Sequence, residues 1–134
     1  MITNKPCPFC TLQTEPSQRQ LCFENSVGFV IRDGYPITNG HTLIIPKRHV
    51  SSFFEITAAE RQALFELVDL AKAQLDQEFK PASYNIGIND GEAAGQTIPH
   101  LHIHLIPRYN EPDEDPRGGV RWLVPEKADY WSKP

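Results

Sequence analysis

No stretch of this chain approaches the ~18 consecutive apolar residues of a membrane-spanning helix, so no membrane partner is expected. The opening Met1-Ile2-Thr3-Asn4-Lys5-Pro6 lacks the apolar run of a secretory signal, and a soluble, cytoplasmic protein is the expectation. Basic charge is also short: the formal net charge is −4. That weighs against broad binding of nucleic acid or anionic lipid, which needs a positive field. A nucleotide ligand stays open, because a small pocket can be locally positive inside an acidic protein. Cysteine is scarce and odd in number, Cys7, Cys10 and Cys22, which argues against a disulfide framework. Neither G-x-x-x-x-G-K-[ST] nor G-x-G-x-x-G occurs, so phosphate chemistry here would not use those loops. Internal repeats are absent. What remains is 134 residues, 40% of them hydrophobic, enough for one domain with a core.

Against this plain background one segment stands out. Of five histidines, three fall in Pro99-His100-Leu101-His102-Ile103-His104-Leu105-Ile106. Side chains alternate faces along a strand. His100, His102 and His104 are therefore expected on one face, with Leu101, Ile103 and Leu105 on the other. Imidazole can act as nucleophile, base or metal ligand near neutral pH. A solvated face carrying three histidines by chance is the bland alternative. Gly95-Gln96-Thr97 precedes the row, and small residues there expose backbone N–H groups that suit anionic oxygens.

The rest of the chain reads as hairpins around one helix. Val27 to Arg32 and Thr42 to Ile45 are expected strands, joined through the turn residues Asp33-Gly34-Tyr35-Pro36 and Thr38-Asn39-Gly40. Thr57-Ala58-Ala59-Glu60 is a capping box. After it, Leu64, Leu67, Val68, Ala71, Leu75 and Phe79 keep helical spacing until Pro81 stops the helix. Ser83 to Asn89 is the next strand, linked by a glycine-bearing loop to the histidine strand. The expected fold class is α+β, an antiparallel sheet of about five strands with one long helix. The expected single domain has its core over about 5–109, with an extended tail over 110–134 that packs on the domain or on a partner. Cys7-Pro8-Phe9-Cys10 has the spacing of a zinc half-site, the alternative being two buried thiols. Cys22, in Leu21-Cys22-Phe23, reads as a small buried residue.

Gly95-Gln96-Thr97-Ile98-Pro99-His100-Leu101-His102-Ile103-His104-Leu105-Ile106 resembles the signature of the histidine triad (HIT) family. Asp33, Gly40-His41 and Ile45-Pro46-Lys47-Arg48-His49 correspond to that family's first hairpin. Asn89 to Thr97 is similar to its dinucleoside-polyphosphate hydrolase branch, and the Trp-Pro-Pro-Gly ending of the phosphoramidase branch is missing. The resemblance implies nucleotide hydrolysis at an α-phosphate through a nucleotidyl-histidine. It implies His102 as nucleophile, His104 as a phosphate contact, and His100 and His41 as the groups that orient the row and fix the tautomer of His102. Gln96 would meet the bridging or leaving oxygen, beside Gly95 and Thr97. Asn89 would help hold the phosphate, and Asp33 would accept a ribose hydroxyl. Phe29, Ile31 and Ile45 read either as a base pocket or as core. With His102 and His104 claimed by chemistry, His49 and His100 are left to complete a structural zinc site with Cys7 and Cys10, as in some bacterial members. A homodimer with joined sheets is implied, and magnesium is admitted as companion of a polyphosphate. The alternatives are a phosphoramidase or nucleotidyl transferase and, in another class, a zinc-stabilised nucleotide-binding regulator. Removal of adenylate from DNA ends is disfavoured by the acidic charge.

Overall fold

The computed structural model describes residues 6–14, 21–111 and 114–132. The segment Met1 to Lys5 and the tail positions Pro112, Asp113 and Pro134, which enter the expectations above, lie outside the described residues. Among the described residues, no helix is long and apolar enough to cross a membrane.

The first expected hairpin forms from β2 (Gly28–Arg32) and β3 (Thr42–Pro46), with Gly28 opposite Pro46 and Arg32 opposite Thr42. A short strand that the sequence pattern did not announce, β1 (Leu21–Glu24), pairs with the outer edge of β2. The second hairpin joins β4 (Ser83–Gly87) to β5 (Ile103–Arg108). It inserts β5 beside β3, so the sheet runs β1-β2-β3-β5-β4 and every pairing is antiparallel. The ladder stops at Gly87 rather than Asn89.

Helix α2 (Ala58–Glu78) begins where the capping box placed it. The Glu60 N–H donates to Thr57 Oγ1 at 3.0 Å, and the Thr57 N–H donates to Glu60 Oε1 at 2.9 Å. The helix ends through Phe79 and a left-handed Lys80 (φ 51°) just before Pro81. Its buried stripe is Leu64, Leu67, Ala71 and Leu75.

Alternation along the strands splits the sheet into two chemically different faces. Val30, Ile44, Leu101, Ile103 and Leu105 pack with the helix stripe. Phe29, Ile31, Leu43 and Ile45 point the other way, against Phe9 and Leu12 of a second helix, α1 (Pro8–Thr14), which was also unannounced. The histidines lie on this second face. Regular strand geometry starts only at Ile103, so Pro99–His102 is an irregular lead-in rather than strand. Alternation still holds there: Leu101, Ile103 and Leu105 are buried while His102 and His104 are half-buried. His100 departs from the pattern and is fully buried.

The tail is not extended as expected. It coils into 3-10 turns at Gly119–Leu123 and Pro125–Lys127, and Ala128 is fully buried. Arg117 stacks on Trp131 at 4.8 Å and Arg121 on Tyr130 at 4.6 Å. Glycine and proline, which break longer elements, leave such short turns available. An open groove of about 630 Å³ separates the tail's Val120 and Leu123 from Asn85 and Ile106 on the sheet.

At Gly28 the sheet lies close against α2. A Cβ there would stand 2.7 Å from Leu64 Cδ2 and 2.8 Å from the Ile45 carbonyl oxygen. Overpacking a tight core costs about 1–3 kcal/mol. Gly28→Ala is expected to lower the urea midpoint accordingly with an unchanged m-value. A midpoint equal to wild type would mean that α2 does not bear on the sheet at this point.

Candidate functional site: a histidine chain beside a Cys/His cluster

The second face carries four imidazoles in sequence through space: His41, His104, His102 and His100. His41 is 4% exposed and comes from the residue before β3. The Ile37 N–H lies 3.2 Å from His41 Nδ1. A backbone N–H can only donate, so Nδ1 holds the lone pair and Nε2 the proton. His41 Nε2 then donates to His104 Nδ1 at 2.9 Å, with Asp33 Oδ2 at 3.3 Å as a second acceptor. Burial pushes His41 below its ordinary value, against the opposing pull of Asp33. Burial, then His102 and His41, push His104 down to about 4, again against Asp33. A neutral His104 that accepts at Nδ1 carries its proton on Nε2.

His102 is set the opposite way. Its Nδ1 is 2.9 Å from the His100 carbonyl oxygen. A carbonyl can only accept, so Nδ1 bears the proton and Nε2 a lone pair. The rings of His102 and His104 are 5.1 Å apart. Two adjacent imidazoles thus offer one nucleophilic nitrogen and one N–H donor. His100 thus sets the His102 tautomer through its backbone carbonyl, while His41 bonds to His104 and not to His102 directly.

The ring of His100 belongs to another group. Its Nε2 is 2.7 Å from the Pro46 carbonyl oxygen, so the lone pair sits on Nδ1. Nδ1 lies 3.3 Å from Cys7 Sγ, 3.6 Å from Cys10 Sγ and 3.2 Å from His49 Nδ1. Cys10 Sγ is 3.3 Å from His49 Nδ1. A tetrahedral ion with metal–nitrogen bonds of about 2.0–2.1 Å and metal–sulfur bonds of about 2.3 Å spaces nitrogens about 3.3 Å apart and nitrogen from sulfur about 3.5 Å. These four distances match such edges, and all four ligand atoms lie within 4.8 Å of one another. A backbone carbonyl on the far nitrogen of His100 is the second partner that ligating histidines use. Burial lowers His100, keeping it neutral and able to ligate. Burial and the neighbouring Cys7 push the Cys10 thiol up to about 11, so a metal would have to displace thiol protons on binding. Cys22, half-buried on β1, is not among these donors. Asp33, His41 and His104 also lie close enough to share an ion, but their contacts are those of the hydrogen-bonded chain.

The loop before the row is braced by Gln96, which is 5% exposed. Its amide nitrogen donates to the Ser51 and Ile98 carbonyls at 2.9 and 3.1 Å, and its oxygen accepts from the Gly91 N–H at 2.8 Å. Gln96 is therefore a clasp that ties the loop to the segments around it. Gly95 (φ 94°) and Thr97 are exposed beside it, and Asn89 is half-buried at the start of the loop. None of the three is hydrogen-bonded to a histidine among the described residues. Asp33 Oδ1 already accepts from the Tyr35 N–H at 2.8 Å, though a carboxylate has room for further donors. Phe29 and Ile31 line a cavity of about 250 Å³ with Leu12, Leu21, Glu24 and Lys47, whereas Ile45 is wholly core. Two contributors went unread in the sequence. Phe9 touches both His100 and His102, and the Pro46 carbonyl orients His100. An aromatic inside C-x-x-C was a usable signal; a backbone carbonyl has none.

Comparison with known proteins places this geometry. The HIT domain matches residues 15–111. The chain belongs to the HIT family. Protein hit of Bacillus subtilis is 34% identical over 107 residues, covering 80% of this chain and 74% of its own. A bis(5'-adenosyl)-triphosphatase of Saccharomyces cerevisiae is 35% identical over 130 residues, 96% of this chain, and the chain spans 58% of that relative's length. Among solved structures, a HIT family protein from Bacillus anthracis has a TM-score of 0.76 at 36% identity, covering 83% of this chain and 79% of its own. A Zn-bound histidine triad family protein from Mycobacterium smegmatis has a TM-score of 0.73 at 29% identity, covering 81% and 79%.

A histidine whose folded pKa lies below its unfolded value takes up its proton first in the unfolded chain. Stability then falls as pH drops from the ordinary 6.5 toward about 4 and is unaffected above that window. His41 and His100 add with the same sign. The thermal midpoint is expected to decline below pH 6.5, with the His104 ring signals titrating near 4 by NMR. A His104 midpoint near 6.5 would show that the ring is not buried against His102 and His41 as described.

Proposed function

We propose that this chain is a nucleotide hydrolase that cleaves a dinucleoside polyphosphate or related nucleotide conjugate at the α-phosphate. The observation that carries the reading is the free Nε2 of His102, left by the bond from its Nδ1 to the His100 carbonyl. The lone pair of Nε2 attacks the α-phosphorus. A phosphorus–nitrogen bond forms, and the bond to the bridging oxygen breaks with its electron pair leaving on the departing nucleotide. Water then attacks the same phosphorus and releases His102. The covalent route splits one difficult displacement into two easier ones. His104 Nε2–H, one position along the face, donates to a non-bridging oxygen as charge builds. Its low pKa keeps it a neutral donor through the working range. Gly95, Thr97 and Asn89 supply further donors from the loop, with Gln96 as the clasp that holds it. Asp33 meets the ribose and His41 holds His104. The nucleobase takes the cavity walled by Phe29 and Ile31. The similarity to the yeast triphosphatase supports the substrate class. Magnesium accompanies the polyphosphate, and a cytoplasmic homodimer joined through the sheets completes the reading.

The metal of Cys7, Cys10, His49 and His100 is zinc in this reading, supported by the tetrahedral spacing and by the Zn-bound relative. Four protein ligands leave no open position, so its role is structural. It would tie α1, the exit of β3 and the lead-in to β5 together.

His102→Asn is expected to lower turnover of diadenosine tri- and tetraphosphate by several powers of ten while substrate still binds, since losing a covalent nucleophile costs about that much. A single-turnover quench with α-labelled substrate should trap label on wild type that survives alkali and is lost in acid. Near-normal turnover in His102→Asn would end the nucleophile assignment. A panel adding an adenosine phosphoramidate and ADP separates the hydrolase reading from a phosphoramidase.

Metal analysis of purified protein is expected to give about one zinc per chain, consistent with a closed four-ligand site. Cys7→Ala should lose the metal and melt at lower temperature, because structural zinc contributes directly to folding. Zinc-free protein with an unchanged melting temperature would remove the site.

A further inference from the structure

Phe9 lies between Cys7 and Cys10 at the start of α1 and is 1% exposed. Its ring meets two imidazoles edge-on. The His100 ring is 5.7 Å away at 83°, and the His102 ring is 5.1 Å away at 61°. Leu12, Phe29, Ile31, Leu43 and Ile45 share its apolar cluster. A single hydrogen bond leaves an imidazole free to swing about that bond. For His102 the swing is limited by the rings on either side, His104 and Phe9, each 5.1 Å away. The acceptor of its one ring hydrogen bond is the carbonyl of His100. Two of these three restraints therefore come from the Cys/His cluster: His100 is one of its donors, and Phe9 rides on the turn that carries its sulfurs.

We propose that the Cys7–Cys10–His49–His100 cluster sets the posture of His102 through two links, the His100 carbonyl and the Phe9 ring, and that Phe9 is a positioning residue for the reaction. With a metal held, the four donors pin α1 to the lead-in of β5 and press Phe9 against His102. Helix α1 has seven residues, and helices shorter than about 12 residues are marginal without tertiary anchors. Without the metal, α1 loosens, Phe9 withdraws, and His102 gains rotamers in which Nδ1 leaves the His100 carbonyl. Metal occupancy thereby controls whether the reactive nitrogen faces substrate. This rests on the reading of His102 as nucleophile, but its posture can be measured without turnover.

The test uses full-length protein in four states: zinc-loaded wild type, chelator-stripped wild type, and zinc-loaded Phe9→Leu and Phe9→Ala. Long-range proton–nitrogen spectra report which ring nitrogen of His102 is protonated, the signals being assigned by their loss in His102→Asn. Loaded wild type should show one tautomer with the proton on Nδ1. Stripped wild type and Phe9→Ala should show a mixture, with Phe9→Leu between. Zinc content should stay at the wild-type level in both variants. In kinetics, Phe9→Ala should lower kcat by about ten- to a hundredfold, as misplacing a reacting group does, with KM within about threefold and partial rescue in Phe9→Leu. Wild-type spectra in the stripped protein, or wild-type spectra and kcat in the Phe9 variants, would overturn the proposal. If Phe9→Ala does not fold, Phe9→Leu and the stripped protein decide it. If wild type turns over no nucleotide, the functional reading falls alone, and the spectra still decide whether the cluster positions His102.

Discussion

The bond from His100 Nε2 to the Pro46 carbonyl orders more than one ring. It turns the Nδ1 lone pair toward the two sulfurs and His49. It anchors His100 to the end of β3, two residues before His102, and so helps place the carbonyl that accepts from His102 Nδ1. At the other end of the chain of imidazoles, the Ile37 N–H does the same for His41 and, through it, for His104. Imidazole is ambiguous by nature, with two nitrogens and one proton. Here atoms of fixed polarity at both ends remove the ambiguity. The result is a lone pair and an N–H side by side, which is what attack on a phosphate needs.

This arrangement demands a sheet with two faces of different character. The helix side takes the aliphatic residues of β2, β3 and β5, and the close approach at Gly28 holds α2 against them. The other side is left to α1 and the histidines. His41 and His100 are buried but hydrogen-bonded, which avoids the cost of a stranded polar group.

The parts legible in the sequence were those written in period and local chemistry. The stripe from Leu64 to Leu75 and the Thr57–Glu60 box placed α2, and alternation from Leu101 to Leu105 placed the apolar side of β5. Strand β1 has four residues and α1 has seven, too short for either period to register. The tail read as breakers because its turns are stabilised by Arg117 and Arg121 stacked on Trp131 and Tyr130 further along the tail, contacts that no periodic pattern announces. Within the site, the row and the C-x-x-C were visible as residue types. That His100 joins Cys7, Cys10 and His49 followed from the resemblance and the C-x-x-C, and the structure brings the four together; the bond that turns its ring was not legible, since it depends on a carbonyl 54 positions earlier. The same holds for Gln96, whose side chain is engaged by the backbones of Ser51, Ile98 and Gly91.

That clasp bears on how a ligand is met. A loop rich in glycine and alanine would ordinarily sample many shapes and surrender that freedom on binding. Three hydrogen bonds from one buried amide remove it during folding instead. A ligand met by this loop would draw little on conformational entropy, and its affinity would reflect the loop's donors rather than its ordering. Such a loop recognises by fit to a standing shape. Selectivity built on such a shape would be sharp toward ligands that match and poor at adapting to those that do not.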